Sequence, residues 1–262
     1  RKESNYWNQR DEYLGIQDNF KELPSIPIAY WASDKVLDIF HNAKKIKKVA
    51  DVKSGISTTD NKLMLRLWFE VSSEKFGLGF ESRELARKGN KKWFPYNKGG
   101  TFRKWYGNQE YVVNWWNDGH DIRKLIASDP AKQVGGRLVN LDYMFKYTGL
   151  SWSSISSGDL SVRYFSKGSM FDSKGPSIFI NDENLELYVL GILNSKISNV
   201  FLSIMSPTLD FNIGPISSIP LVVDKMLVSG VNNIVENNLD ISKIDWDSFE
   251  TSWDFKQHPL LI

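Results

Sequence analysis

The sequence predicts an α+β fold, a twisted, mostly antiparallel or mixed β-sheet carrying a few packed helices. Three observations carry that prediction. Short segments rich in β-branched and aromatic residues recur along the chain, as in residues 47–58, 62–71, 110–119 and 160–166. Turn signals separate them, notably Asn117-Asp118-Gly119, Gly158-Asp159 and Lys174-Gly175. Apolar spacing of helical period is confined to a few stretches that fall between strand-like ones, which is the α+β pattern.

Taken in order, residues 2–22 are polar and helix-compatible, and Pro24 and Pro27 end them. Ser33 is the expected N-cap of a helix over 34–43. Residues 47–58 read as a strand, and 62–71 as a second whose Leu63, Leu65, Leu67 and Phe69 alternate. Residues 110–119 form a further strand, followed by a helix over 119–128. Residues 150–158 and 160–166 read as paired strands, and 169–180 as a hairpin turning at Lys174-Gly175. Asp182 and Glu183 suit the first turn of one long helix. Its apolar stripe runs through Leu185, Val189, Leu193, Ile197, Val200 and Ile204, and Pro207 ends it. Residues 213–223 read as a strand, and 224–242 as a last helix. The expected organisation is a helical lead-in over 1–30 from a missing catalytic region, a recognition domain over 31–223, and an acidic, aromatic tail over 224–262 packed on that domain.

The composition is that of an ordinary soluble globular chain, with 41% hydrophobic and 24% charged residues in 262. With no cysteine, disulfides and thiolate metal sites are excluded; His41, His120 and His258 are scattered. The longest apolar stretch, 185–205, is interrupted by Asn194, Ser195, Lys196 and Asn199, which argues for a core helix over a membrane span. No membrane association and a cytoplasmic location are expected.

A net charge of +2 conceals a segregation. Residues 83–106 hold eight Lys or Arg against one Glu, and 224–262 hold seven Asp or Glu against three Lys. The stretch KKWFPYNKGGTFRKWYGN (91–108) has five cations, six aromatics and no acid. Cations neutralise phosphate without regard to sequence, aromatics stack on bases, and Asn or Arg read base edges. The alternative is that the rings are core and the lysines face water. Two further loops have DNA-binding chemistry or are plain turns: SGISTTDNK (54–62), and SWSSISSGD (151–159) with Arg163 beyond it. The candidate DNA contacts are Lys92, Lys98, Arg103 and Lys104 on phosphate, with Arg103 also suited to guanine. Ser57, Thr58, Asn61 and Asn97 suit bases or backbone, Trp93, Tyr96, Trp105 and Trp152 are the aromatics expected to be partly exposed, and Arg163 completes the set. Phe-Gly-Leu-Gly (76–79) is a turn, and no nucleotide loop, nucleophile elbow or paired-carboxylate motif stands out.

These stretches carry a resemblance. The 91–108 element followed by EYVVNWWNDGHDI (110–122) resembles the C-terminal region of PglX-type adenine-specific DNA methyltransferases of BREX phage-defence systems, and the related methylase subunits of type II restriction enzymes. GISTTDN (55–61), GLSWSSISSG (149–158), SVRYFSKGSMFDSKGPSIF (161–179), LGILNSKI (190–197), SPTLDFNIGPISSIPL (206–221) and DWDSFETSWDFKQHPLL (245–261) follow in order. The fold expected from the resemblance is similar to restriction-modification specificity domains. The resemblance implies a double-stranded DNA target-recognition domain. Its partners would be DNA, the methyltransferase region of the same protein and other defence proteins. The S-adenosylmethionine pocket and the Asn-Pro-Pro-Tyr motif would lie elsewhere, because no Pro-Pro dipeptide occurs here. Neither enzymatic activity nor a cofactor is therefore expected of this stretch itself. A protein-docking module is the alternative, with Trp246, Phe249 and Trp253 on one helical face. A carbohydrate module leaves the cationic cluster unexplained.

Overall fold

Two four-stranded sheets and a helical layer share two hydrophobic cores. The computed structural model describes Pro27, Ala29 and residues 31–128, 136–156, 158–206 and 208–261. The expected lead-in over 1–30 lies outside the described residues apart from Pro27 and Ala29. The fold is α+β as predicted.

The first sheet is ordered β2-β9-β6-β7 and wholly antiparallel, from Ala50–Lys53 (β2), Ser177–Ile180 (β9), Gly149–Trp152 (β6) and Val162–Phe165 (β7). The second is ordered β3-β5-β4-β8, from Leu65–Leu67 (β3), Tyr111–Asn114 (β5), Trp93–Asn97 (β4) and Met170–Phe171 (β8). Its β4–β8 pair is parallel and the others antiparallel. A short ribbon pairs Lys44–Lys45 (β1) with Pro220–Leu221 (β10).

Strand periodicity of two gives the first sheet two buried faces. Leu150, Trp152, Val162 and Ile178 enter one core with helices Asp34–Asn42 (α1), Glu186–Asn194 (α5), Lys196–Met205 (α6), Ile213–Ser217 (α7) and Lys225–Asp247 (α8). Phe165 and Phe179 enter the other, between the sheets, with Phe94, Tyr96, Val113 and Phe171. Two further helices, Arg83–Lys88 (α3) and Trp116–Ser128 (α4), flank the second sheet, joined by the Arg83–Asp118 ion pair at 2.7 Å.

The structure corrects four sequence expectations. Residues 62–71 are not one strand. Asp60 accepts from the Leu63 N–H and caps a helical turn, Asn61–Met64 (α2), and the Glu70 carboxylate accepts from the Leu67 N–H to close a 3₁₀ turn. Only Leu65–Leu67 pair. Residues 169–180 are not a hairpin, because β8 pairs with β4 of one sheet while β9 sits between β2 and β6 of the other. The segment is a strap between sheets. The long helix over 182–205 is broken at Ser195, with its halves bent by 69°. There Ser195 turns extended, while the side chain of Asn194, the last helical residue, holds both backbone groups of Val162, accepting from its N–H and donating to its carbonyl, each at 2.9 Å. Residues 213–217 are helical, with Pro215 in the first turn, where its missing N–H is tolerated. Among the described residues no single helix is long and apolar enough to cross a membrane.

Candidate nucleic-acid interface

The basic-aromatic stretch begins as β4 and then runs along the edge of the other sheet. Trp105 takes positive φ (72°) and bridges Arg163 of β7, donating to the Val162 carbonyl and accepting from the Tyr164 N–H. An edge strand is thereby covered. The cations of this stretch are largely engaged within the fold. Lys91 donates to the Glu74 carbonyl, and Lys104 to the Asn194 carbonyl at the C-terminus of α5, where the helix dipole favours a cation. Arg103 pairs with Asp245 at 3.2 Å and lies 5.0 Å over the ring of Trp246. Lys98 pairs with Asp172 at 3.5 Å. Of these cations Arg103 is the one that reaches the acidic tail, where its ion pair and ring contact hold the C-terminal part of α8.

The aromatics divide. Tyr96 and Trp152 were expected to be partly exposed and are buried at 1% and 0% exposure. The reason is register: Trp152 shares a face with Leu150 toward the helical core, and Tyr96 faces the seam between the sheets. Trp93 and Trp105 are half-buried. Lys92 and Arg66 lie over the Trp93 ring, each at 5.6 Å. Lys92 and Trp93 stand at the opposite end of β4 from Asn97 and Lys98, about 13 Å away at strand rise. They do not share a site with residues 98–104.

Five loops remote in sequence do converge at the other end of the sheets. The Ile56 N–H donates to Phe171, and the Ile56 carbonyl accepts from Ser173. Ser57 donates its N–H to Arg137, and the Asn140 side chain to Ser54. Ser154 donates its N–H to Lys174, and the Ser153 hydroxyl donates to Gly100. Loop 54–62 and Lys98 are joined through Asp172 at this end. At its centre, Asp172 accepts from Tyr96 Oη (2.8 Å), from the Lys174 N–H (2.7 Å) and from Lys98. Tyr96 Oη is also 3.2 Å from the Ile56 carbonyl. Burial, then the Asp172 charge, holds the Tyr96 hydroxyl well above its ordinary pKa, so it stays a donor.

Arg163 and Asn97 line the closed seam beneath, at 4% and 8% exposure, and neither is open to a duplex. Arg163 has no carboxylate partner among the described residues. It donates to the Arg103 carbonyl and the Ser153 hydroxyl. Burial and the Arg103 charge push its guanidinium down to about 10, still cationic at neutral pH. Its role is to tie the 98–104 loop to the 153–156 loop. Thr58 is likewise buried, donating to Asn61 Oδ1 at 2.7 Å.

What this end offers to a partner is Asn61, Lys62, Thr101, Phe102, Arg137, Ile155 and Lys174, all exposed, with Ser57 half-buried. Neither Lys174 nor Arg137 forms an ion pair among the described residues. Sequence reading passed over both because each is a lone cation with no cluster around it; only the loop contacts reveal their shared address. Phe102, 55% exposed at the tip of a loop opened by Gly99 and Gly100 at positive φ, was passed over as core.

Gly55 fixes the position of loop 54–62. A Cβ there would lie 2.0 Å from the Phe171 carbonyl oxygen, a backbone atom that cannot move aside. Gly55→Ala is expected to cost about 2–3 kcal/mol by overpacking. Hydrogen exchange should show Ile56 and Ser57 losing protection before the rest of the first sheet.

The fold and this loop end define an α+β module in which several loops converge at one end of two sheets. No family model matches the sequence. It is homologous to a region of the adenine-specific methyltransferases PglX and BrxX. It is 41% identical over 253 residues to the adenine-specific methyltransferase PglX of Lacticaseibacillus casei (strain Zhang), covering 95% of this chain and 20% of that protein. It is 36% identical over 249 residues to the adenine-specific methyltransferase BrxX of Escherichia coli O9:H4 (strain HS), covering 94% of this chain and 19% of that protein. The chain spans about a fifth of the length of the curated relatives it matches.

Proposed function

We propose that this region is the double-stranded DNA target-recognition domain of an N6-adenine methyltransferase in a BREX-type or restriction-modification system. The observation that carries the reading is the convergence of loops 54–62, 98–104, 136–140, 153–156 and 172–175 at one end of the two sheets. They are held from beneath by Asp172 and Arg163 and rimmed by Arg137, Lys174 and Lys62. Cations at the rim would set the register on phosphates, while Asn61, Ser57 and Thr101 would contact base edges. An enzyme acting on adenine must take the base out of the stack. A separate surface gripping the flanking duplex supplies the position from which it does so. S-adenosylmethionine would bind, and methyl transfer would occur, in a part of the protein outside this region, which contains no Pro-Pro dipeptide for the expected catalytic motif.

The test is duplex binding by the full-length protein across a range of salt. Lys174→Glu and Arg137→Glu are each expected to lower the slope of log K against log salt by about 1 and to weaken all sequences alike. Arg103→Glu is expected to loosen α8, with a smaller change in slope, because its guanidinium is committed to Asp245 and Trp246. Unchanged affinity and slope in both rim variants would remove this end of the molecule as the DNA face.

A further inference from the structure

The acidic tail was expected to dock, if anything, through its aromatics. The structure uses two of them internally: Trp246 is buried beneath Arg103, and Trp253 packs edge-on to Phe76 at 6.0 Å. It leaves Phe249 51% exposed beyond α8, and along α8 itself the exposed apolar side chains are aliphatic. On α8, Val228, Val231, Val235 and Trp246 face the molecule. Met226, Leu227, Ile234, Ile241 and Ile244 are 87%, 58%, 64%, 67% and 69% exposed. At 100° per residue these five fall on one stripe, rotated away from the core-facing side. Leu227, Ile234 and Ile241 recur every seven residues, the spacing of a helix-pairing seam. Gly230 lies between the first two with open space where a Cβ would stand, so a second backbone can come close. Isolated exposed aliphatics need no explanation, but five in register on one helix do.

We propose that this stripe seats an amphipathic helix bearing aliphatic residues at heptad spacing and Lys or Arg on its flanks, contributed by a part of the same polypeptide outside these 262 residues. Charge selects the occupant. The polar flank carries Glu236 and Asp240, which form no ion pair among the described residues, whereas Lys243 is tied to Asp247 and Asp254. Beside Ile244 the stripe opens into a cleft of about 630 Å³ lined by Asp240, Asp247 and Asp254 together with Lys243 and Lys256; Asp240 is the carboxylate there that forms no ion pair among the described residues, and it suits a basic side chain. A second copy would set the Glu236–Asp240 flank against itself across a two-fold axis. The length of the relatives leaves room for such a segment: about four-fifths of it lies outside the matched region. The acidic rim also repels DNA phosphate, so this face and the proposed DNA face are chemically distinct, and neither inference depends on the other.

The absence of cysteine from this region makes the test direct. In the full-length protein, cysteine is introduced by Ile234→Cys on the stripe and, separately, by Ser229→Cys on the solvent face of the same helix. Maleimide labelling is then followed at each peptide by mass spectrometry. Both positions are exposed in this structure. The thiol at 234 is expected to react at least tenfold more slowly than that at 229, and Ile241→Asp to abolish the difference. Equal rates at the two positions would overturn the proposal. Protection at 234 that accompanies a dimer in sedimentation, with both lost in Ile241→Asp, would also overturn it by naming a second copy as the occupant.

Discussion

Asp172→Ala is expected to destabilise the region by about 2–4 kcal/mol, the cost of leaving the buried Tyr96 hydroxyl and the Lys174 N–H without their carboxylate. The Asp172 side chain is 6% exposed. It receives the Tyr96 hydroxyl, the Lys174 N–H and the Lys98 ammonium, while its own backbone N–H donates to the Asn97 carbonyl. Removing it frees Lys98, leaves the Lys174 N–H without its acceptor, and leaves Tyr96 only the longer contact to Ile56. Asp172→Asn keeps the shape and one acceptor and is expected to cost less, about 1–2 kcal/mol. Urea midpoints at constant m-value measure both. The functional consequence follows from position: the strap from β8 to β9, loop 54–62 and loop 98–104 are joined through this residue, so their exchange protection should fall together. An Asp172→Ala midpoint within 1 kcal/mol of the parent would show that the loops are held by other means.

The sequence made the strands and turns legible where local chemistry decides them. Leu150 and Trp152 alternate with Ser151 and Ser153, and β6 and β7 pair around Gly158-Asp159 as the pattern predicts. Ser33 stands at the N-cap without a side-chain bond to the helix, and the strand expected over 110–119 already ends at Asn114, before the three consecutive positive-φ residues Asn117, Asp118 and Gly119. Illegible were the places where a distant segment overrides local preference. The helical period continues through Ser195, yet the helix breaks there because Asn194 finds two backbone partners on β7, 32 residues back. The 169–180 segment has the look of a hairpin, but each half finds a longer-range strand.

The site shows the same division. That residues 54–62 and 91–108 each carry side chains suited to DNA was readable from the sequence; that only the far end of 91–108 comes near loop 54–62 was not. That Lys104, Arg103 and Lys98 would be spent within the fold was not, because their partners lie at positions 194, 245 and 172. Composition reports that opposite charges are segregated along a chain. It cannot report that the two segments fold onto each other.

Trp152 separates the two meanings that an aromatic in a serine-rich loop can have. If it stacked on DNA, Trp152→Ala would weaken binding by about 1–3 kcal/mol and leave stability intact. The structure gives the opposite expectation. The ring is 0% exposed in the helical core, and its indole N–H donates to the Phe211 carbonyl at 2.7 Å. Trp152→Ala is therefore expected to cost about 3–5 kcal/mol of stability through the cavity it leaves. Trp152→Phe should cost less, keeping most of the apolar contact while losing the hydrogen bond. The affinity of the remaining folded molecules for duplex DNA, and its salt slope, should match the parent in both variants when measured well below the unfolding transition. The orphaned Phe211 carbonyl adds a local signature: Phe211 N–H is bonded to Ser154 and Ile155 bridges Asp210, so protection should be lost first over 154–156 and 210–211. A Trp152→Ala variant of unchanged stability with weakened, less salt-dependent binding would place the ring at the DNA and the 153–156 loop in a different conformation from the one described.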